Sequence, residues 1–528
     1  MATSSARALV AACATLFLTF LDTTVVSVAL PDLQLSSSVG VSDLQWIVDG
    51  YLLIFTSLTL AGGALADRLG VRPLLLGGLA VFAGGSVLTA ISAPNGGWDG
   101  VRVGRLVQGL GAALSEPATL AVVRRGYADA RERARALGVW AAVAGLAIAT
   151  GPVVGGLLVA AGGWRAVFWA NVPLAVIAAA AVVVGVPKSP AGVGTLAGQL
   201  RPRGRLDLAG LTLVAVTLSG VTWGLIEAQQ RGFDDTAVQA SLALAAGGLV
   251  ALVVQERRAA DPALPLPLVA GRATIGANAA ALAASFAVFA IFFFVAIDLQ
   301  TVGTGSAGGT ALAFTPLAVL LTAGGLVAGR WTAARGPTQP MVTGLGVGAA
   351  GLLLTDASLG TDPGLGPVAL ALGVVGAGLG LVLAPAASTV LASTGPERAG
   401  TAAAVVNLAR QVGGLLAVGI LGVIAVRRLE GSLDVSLQRL RVPAFLRPSV
   451  REQVLRPGSL GKPSGRRGGT SLVEQVLQGA REAFVAGSHA ALRLTAALLL
   501  TAALVCLAAA AATRRDRPAS ARSLAPPT

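Results

Sequence analysis

The stretch Gly63-Ala-Leu-Ala-Asp-Arg-Leu-Gly-Val-Arg72 decides the fold of this chain. It forms a short charged turn between two long apolar runs. Two membrane helices joined by so tight a turn need glycines where their backbones crowd. They also need a reason to keep Asp67 and Arg68 beside lipid, where an unpaired charge is costly. The stretch therefore predicts a functional turn between two spanning helices, and an ordinary hairpin with incidental charges is the alternative.

The composition extends this interpretation to the whole chain. Of the 528 residues, 54% are hydrophobic and only 12% are charged, against about 25% charged residues in a soluble protein. Apolar runs of about 20 residues recur throughout, and each can cross a hydrocarbon core as a helix. The net charge of +14 comes mainly from arginines in loops and tails, which argues against a nucleic-acid partner. An all-α integral membrane protein, with membrane lipids around it, is predicted.

The alternation of long apolar runs with polar loops predicts fourteen helices. They cover residues 8–32, 46–66, 73–93, 99–122, 135–160, 164–186, 205–227, 236–256, 272–298, 307–330, 338–357, 364–392, 398–426 and 485–512. An even number places both termini on one side of the membrane. The arginines concentrate in the loops on that side, so the positive-inside rule makes it the cytoplasmic side. Abundant alanine, glycine, valine and arginine suggest a G+C-rich bacterial genome, and hence a bacterial inner membrane.

The charged turn resembles the loop between the second and third helices of the major facilitator superfamily. The matching positions are Gly63, Leu65, Asp67, Arg68, Gly70 and Arg72, whereas Val71 replaces the usual basic residue. By this resemblance the turn is a conformational latch at the inner ends of the helices. Residues 21–31, 44–51 and 105–113 are similar to signatures of one subfamily, the fourteen-helix drug/proton antiporters (EmrB/QacA type).

The resemblance implies two six-helix bundles with two additional central helices. The first bundle is residues 1–186, and a connector with the two additional helices is 187–271. The second bundle is 272–512, including a long outer loop at 428–484, and 513–528 is a cytoplasmic tail. We expect partial disorder in that loop and a short helix over 471–484.

A glycine pattern in the fifth helix is similar to the motif that accompanies exporters in the superfamily. It consists of Gly138, Gly151, Pro152, Gly155 and Gly156, with Ala147 in place of one expected glycine. Proline bends a helix because it removes a backbone hydrogen bond. Small residues also occur on any packed membrane helix, so a simple packing face is the alternative.

Three ionisable residues lie deep within the first four helices. A carboxylate in a spanning helix must face a cavity or a partner; by resemblance, Asp22 serves proton coupling or gating. Arg105 needs a partner as well, and in the family this arginine is tied to proton transfer. Glu116 is a second titratable group or a site for a cationic substrate. Alternatively, Glu116 pairs with Arg124 or Arg125 near the inner face.

Other ionisable positions are less decisive. Asp49 lies one turn inside the second helix, and either an interfacial or a cavity position fits it. Asp298 is a candidate cation-binding carboxylate or an interfacial residue, and Arg410 is expected to line the cavity. His489 is expected at the membrane interface.

These observations predict a proton-coupled drug exporter that expels hydrophobic, cationic compounds by alternating access. The alternatives are a dedicated exporter of an endogenous metabolite or antibiotic, or another solute transporter of the superfamily. An enzyme is not expected, because no nucleophile, base or metal cluster lies at depth. No cofactor or metal is expected either; the partners are a small-molecule substrate and protons, and the chain is expected to be a monomer.

Overall fold

The computed structural model describes residues 2–37, 41–92, 99–188, 207–260, 262–299, 307–360, 364–439 and 472–515. These residues are almost entirely helical, and no strand occurs among them. The first seven helices are α1 Ala2–Ser37, α2 Val41–Leu69, α3 Val71–Ile91, α4 Asp99–Gly126, α5 Ala130–Gly185, α6 Leu208–Arg231 and α7 Thr236–Arg258. The others are α8 Leu266–Ala270, α9 Ile275–Ala290, α10 Ala296–Asp298, α11 Ala307–Arg335, α12 Thr338–Ser358, α13 Leu365–Gly380, α14 Leu383–Ala392, α15 Ala399–Arg439 and α16 Leu472–Arg515.

Helix α5 contains two of the predicted spans. Its backbone turns at Gly163, whose φ of 67° lies in the left-handed region that glycine adopts without strain. The amide of Trp164 donates to Asp32, near the end of α1, whereas Gly185 packs on Arg7, near the start of α1. The two arms of α5 are therefore antiparallel.

The described helices thus correspond to the fourteen predicted runs. Twelve helical segments are long and apolar enough to cross a membrane, counting α5 once and α13 with α14 as one. The span counted in α5 is Val153–Gly185, so the first arm of α5 and the shorter apolar helix α9 are not among the twelve.

Two of the predicted spans are interrupted. Helix α9 continues through a π-helical turn, Ile291–Val295, before α10. Helices α13 and α14 are separated at Leu381 and Val382, whose amides donate to carbonyls three residues back. Pro385 follows and has no amide hydrogen to continue the ladder, so a break here is expected for the backbone. Hydropathy does not report such breaks, and the sequence predicted continuous helices at both places.

The helices pack as two bundles. Helices α1–α5 form the first and α9–α16 the second, with contacts between them mainly from α2 to α15 and from α5 to α11. Helices α6 and α7 pack on each other, and α6 also lies against α2 and α15. We call the end of the molecule at which α1 begins the predicted cytoplasmic end.

Helix α15 extends further than its apolar run. It ends at Arg439, and α16 begins at Leu472, so both helices enter the segment 428–484 that the sequence predicted as a loop. Leucines recur at positions 429, 433 and 437, a helical spacing that continues beyond the membrane-spanning part. The helix predicted over 471–484 is the start of α16, and residues 440–471 lie outside the described part of the chain.

The α5–α11 crossing depends on glycine. A Cβ atom at Gly138 would lie 2.7 Å from the Cα atom of Gly329, while one at Gly156 would meet nothing within 4 Å. Gly138→Leu should therefore destabilise the protein by about 1–3 kcal/mol through overpacking, whereas Gly156→Leu should have little effect. Thermal unfolding of the detergent-solubilised protein measures the difference. Equal midpoints for the two variants would contradict the close crossing.

Candidate functional site

A buried ion pair lies in the first bundle. One Nη atom of Arg105 on α4 is 2.7 Å from a carboxylate oxygen of Asp22 on α1, and both side chains are at most 1% exposed. The Nε atom of Arg105 donates to the carbonyl of Ile47 on α2 at 2.8 Å. The guanidinium also lies 4.4 Å from the centre of the Tyr51 ring. One arginine thus connects α1, α2 and α4.

Three polar side chains complete the surroundings of Asp22. Its second oxygen accepts from the amide of Asn171, on the second arm of α5, at 2.7 Å, and from Gln108 at 3.5 Å. Both amides also donate to the Ser86 hydroxyl on α3. These three residues were not among the site residues predicted from the sequence, although each is a polar residue inside an apolar run. Helices α1 to α5 therefore all contribute to this network.

A second ion pair joins the two bundles. Glu116 on α4 pairs with Arg410 on α15, and neither side chain is more than 9% exposed. The Arg410 guanidinium also lies 4.5 Å from the centre of the Phe20 ring. The alternative pairing of Glu116 with Arg124 or Arg125 is therefore wrong. Glu116 lies a little over two turns from those arginines along α4, and they donate instead to the carbonyls of Leu391 and Thr394 and to Asp67.

Asp67 forms the main contact between the bundles at the predicted cytoplasmic end. Its oxygens accept from the amides of Gly400 and Thr401, both at 2.8 Å, and from the Thr401 hydroxyl at 3.0 Å. These amides belong to the first turn of α15, where unpaired N–H groups attract a negative charge. Arg125 donates to the same carboxylate at 2.9 Å. Asp67 thus caps a helix of the opposite bundle.

Arg124 of α4 and two glycines of the charged turn support this contact. Arg124 donates to the carbonyls of Leu391 and Thr394, which adds a second connection between the bundles. Gly63 allows the α2 backbone to approach α15 closely, because a Cβ there would overlap Gly400. Gly70, at the α2–α3 turn, has a φ of 91°. This conformation favours glycine over any residue with a side chain.

The remaining turn residues and one motif residue have separate positions. Arg72 donates to the carbonyl of Val186 at 3.1 Å, within the first bundle. Arg68 is half-buried at the end of α2. Gly151 packs on Thr24 of α1, where a Cβ atom would overlap the hydroxyl.

The remaining residues of the glycine pattern in α5 are Gly155, Gly156 and Pro152. Gly155 is buried and Gly156 is exposed. The side chain of Pro152 lies outside the described ones, as does that of Asp49; their helices are described.

A third polar cluster lies in the second bundle, away from both ion pairs. Asp356 on α12 accepts from Arg493 on α16 at 2.9 Å and lies 2.6 Å from a ring nitrogen of His489. Asp298 is buried, and Ser488 and His489 are its polar neighbours. His489 therefore has a carboxylate partner within the protein.

The sequence of this chain matches that of a known protein family. The sequence profile of the Major Facilitator Superfamily matches residues 12–418. The chain belongs to the major facilitator superfamily. This transporter is therefore not an enzyme, and its substrates are small molecules.

Relatives of this transporter are resistance and export proteins. It is 32% identical over 407 residues to the methylenomycin A resistance protein of Bacillus subtilis, covering 76% of this chain and 84% of that protein. It is 35% identical over 431 residues to the cephamycin export protein of Amycolatopsis lactamdurans, covering 79% and 84%. The multidrug resistance protein Stp of Mycobacterium tuberculosis is 31% identical over 424 residues, covering 80% and 76%.

A solved structure agrees in fold. The human organic anion transporter MFSD10 (TETRAN) superposes on this transporter with a TM-score of 0.59, covering 94% of this chain and 99% of that one. The identity is 15%, so this likeness concerns the fold alone.

The Asp22–Arg105 pair should be important for stability. Asp22→Asn leaves a buried guanidinium without a counter-charge, which costs about 3–5 kcal/mol for a broken buried pair. The double variant Asp22→Asn/Arg105→Gln should recover much of that loss. Thermal unfolding in detergent measures both, with Asp99→Asn as the control, because Asp99 forms an exposed pair with Arg102. A double variant no more stable than Asp22→Asn would contradict the coupling.

Proposed function

We propose that this transporter is a drug/proton antiporter of the fourteen-helix subfamily, which exports hydrophobic compounds by alternating access. The observation that carries the proposal is the Asp22–Arg105 pair, a carboxylate and a guanidinium buried together within the first bundle. Burial of such charges is expensive, and ionisable groups at membrane depth are commonly functional. The resistance and export relatives support the same class of activity.

Asp22 is the proposed proton acceptor. Its ionised form is held by Arg105, Asn171 and Gln108. Protonation would remove the charge that attracts Arg105 and leave the guanidinium to its contacts with the Ile47 carbonyl and the Tyr51 ring. Proton uptake would therefore weaken the connection between α1 and α4 and change the packing of the first bundle.

Helix α2 is the proposed link from this site to the latch. It contacts Arg105 through Ile47 and carries Asp67 at its other end. Twenty residues of helix separate the two positions, which is about 30 Å. A small rotation of α2 in response to Asp22 would move Asp67 relative to the first turn of α15. Opening and closing of the predicted cytoplasmic end would thus follow proton binding.

The proton gradient supplies enough energy for this cycle. One proton moving inward releases about 2.3 kcal/mol per 100 mV of membrane potential and about 1.4 kcal/mol per pH unit. A single proton at ordinary gradients therefore supports at least roughly tenfold accumulation of a drug outside. The proposal places the protein in a bacterial inner membrane, with both termini cytoplasmic and a monomer as the working unit.

A dedicated exporter of an endogenous antibiotic is the second candidate. It is favoured by relatives whose names give a single antibiotic, such as the cephamycin export protein and the tetracenomycin C resistance and export protein of Streptomyces glaucescens. A wide drug range in a pump-deficient host would exclude this candidate. Resistance restricted to one compound would favour it.

Everted membrane vesicles test proton coupling. Dye uptake into vesicles that contain the wild-type protein should require an imposed proton gradient and stop on adding an uncoupler. Asp22→Asn should lose this dependence and slow uptake by about a hundredfold or more, the usual scale for a lost proton-transfer group. The variant with Asp22, Arg105 and Glu116 all neutralised should be inactive. Gradient-driven efflux by that triple variant would refute the proposal.

Asp67→Asn tests the latch. An asparagine retains an acceptor but loses the negative charge that faces the first turn of α15 and pairs with Arg125, a change worth about 1–2 kcal/mol at a partly buried helix N-terminus. Turnover should fall by roughly tenfold while drug affinity changes little.

Asp129→Asn is the control for this experiment. Asp129 caps α5 at the same end, accepts from the amide of Glu132, and makes no described contact with the second bundle. That amide holds the pKa of Asp129 below its usual value, so the residue stays ionised in the assay. Equal losses of turnover and affinity in Asp67→Asn would count against a latch.

A further inference from the structure

The Glu116–Arg410 pair lies where the two bundles meet, in the interior of helices α4 and α15 and away from their ends. Glu116 is seventeen residues after the first residue of α4 and ten before its last, or about 25 Å and 15 Å along the helix. Arg410 is eleven residues after the start of α15. The proposed proton site at Asp22 is held within the first bundle and does not include this pair.

Polar atoms around the pair lack partners. One oxygen of Glu116, the Nε atom of Arg410, both amide atoms of Asn407 and the Tyr51 hydroxyl have no hydrogen-bond partner among the described residues. All four side chains are at least nine-tenths buried. Unsatisfied polar atoms are rare in protein interiors, and each calls for an explanation such as a water, an ion or a bound solute. Tyr51 also lies within electrostatic reach of both ion pairs.

Alternating access separates the two members of the pair. Glu116 belongs to the first bundle and Arg410 to the second, so a cargo between the bundles would face a carboxylate on one wall and a guanidinium on the other. A charge that loses its partner inside a protein is strongly destabilising unless the partner is replaced. The cargo must then offer a donor or positive group to Glu116 and an acceptor or negative group to Arg410.

We infer that Glu116, Arg410, Asn407 and Tyr51 form a cargo subsite that selects compounds without net charge, zwitterions above all. This inference rests on the proposed export function and deepens it. From the sequence, a cationic cargo was expected, and Glu116 was a second titratable group or a site for a cationic substrate; its pairing with Arg410 changes that expectation. A lipophilic cation would have to displace Arg410 from Glu116 and then lie beside the displaced guanidinium.

Three dansyl compounds with one fluorophore and different charges test the selection. Dansylcadaverine is a cation, Nε-dansyl-lysine is a zwitterion because it adds a carboxylate beside the same amine, and Nα-acetyl-Nε-dansyl-lysine is an anion. Equilibrium binding to the purified protein in lipid nanodiscs needs no proton gradient. The wild-type protein should bind the zwitterion at least tenfold more tightly than the cation or the anion. Equal or tighter binding of the cation, or no binding of the zwitterion, would overturn the inference.

Substitutions that remove the charge of Arg410 or Glu116 test whether these residues select the cargo by its charge. Arg410→Gln leaves Glu116 unpaired and should shift the preference at least tenfold towards dansylcadaverine. Glu116→Gln leaves Arg410 unpaired and should shift it towards the acetylated anion. Arg410→Lys keeps the charge and should keep the wild-type order of affinities for the three compounds. This variant tests the inference even if the Gln variants fold poorly.

Glu227→Gln and Arg231→Gln are the matched controls. They make the same charge changes in an ion pair near the end of α6 and should leave the order unchanged. Selectivity that survives in Arg410→Gln, or that changes equally in the controls, would overturn the inference. Zwitterion binding without gradient-driven transport in vesicles would instead count against the proposed function and leave the subsite supported.

Discussion

A charge inside a membrane-spanning bundle needs a counter-charge or a hydrogen-bonding group from elsewhere in the protein. The structure of this transporter depends on that constraint. Asp22 has Arg105 and Asn171, Glu116 has Arg410, and Asp67 has the first turn of α15. Because two of these contacts join the bundles, the same constraint that permits burial also couples the two halves of the molecule.

Helix α2 takes part in most of these contacts. Its Ile47 carbonyl and Tyr51 ring hold the guanidinium of Arg105. Further along, Thr59 exchanges a hydrogen bond with Gln411 of α15, and Asp67 caps the same helix. A helix of the first bundle that holds Arg105 near one end and contacts α15 of the second bundle further along is well placed to transmit a change between the bundles. Gly63 of α2 permits the close approach between α2 and α15 that this arrangement needs.

The fold was largely predictable, and its irregularities were not. Length and hydropathy locate each spanning helix, because the bilayer imposes the same requirement on all of them. They do not report the π-helical turn at Ile291–Val295, the break at Leu381 or the extension of α15 to Arg439. The break follows from backbone hydrogen bonding and from Pro385, and the extension of α15 continues the helical spacing of its leucines beyond the apolar run.

The sequence by itself determined that ionisable side chains lie at membrane depth and that glycines line the helix contacts. Only the tertiary structure decided which charge neutralises which. Glu116 and Arg410 are 294 residues apart, and helical periodicity gives the face of each helix but not the neighbour opposite that face. Asn171, Ser86 and Gln108 acquire their role in the same way, because folding brings three helices around one carboxylate on a fourth.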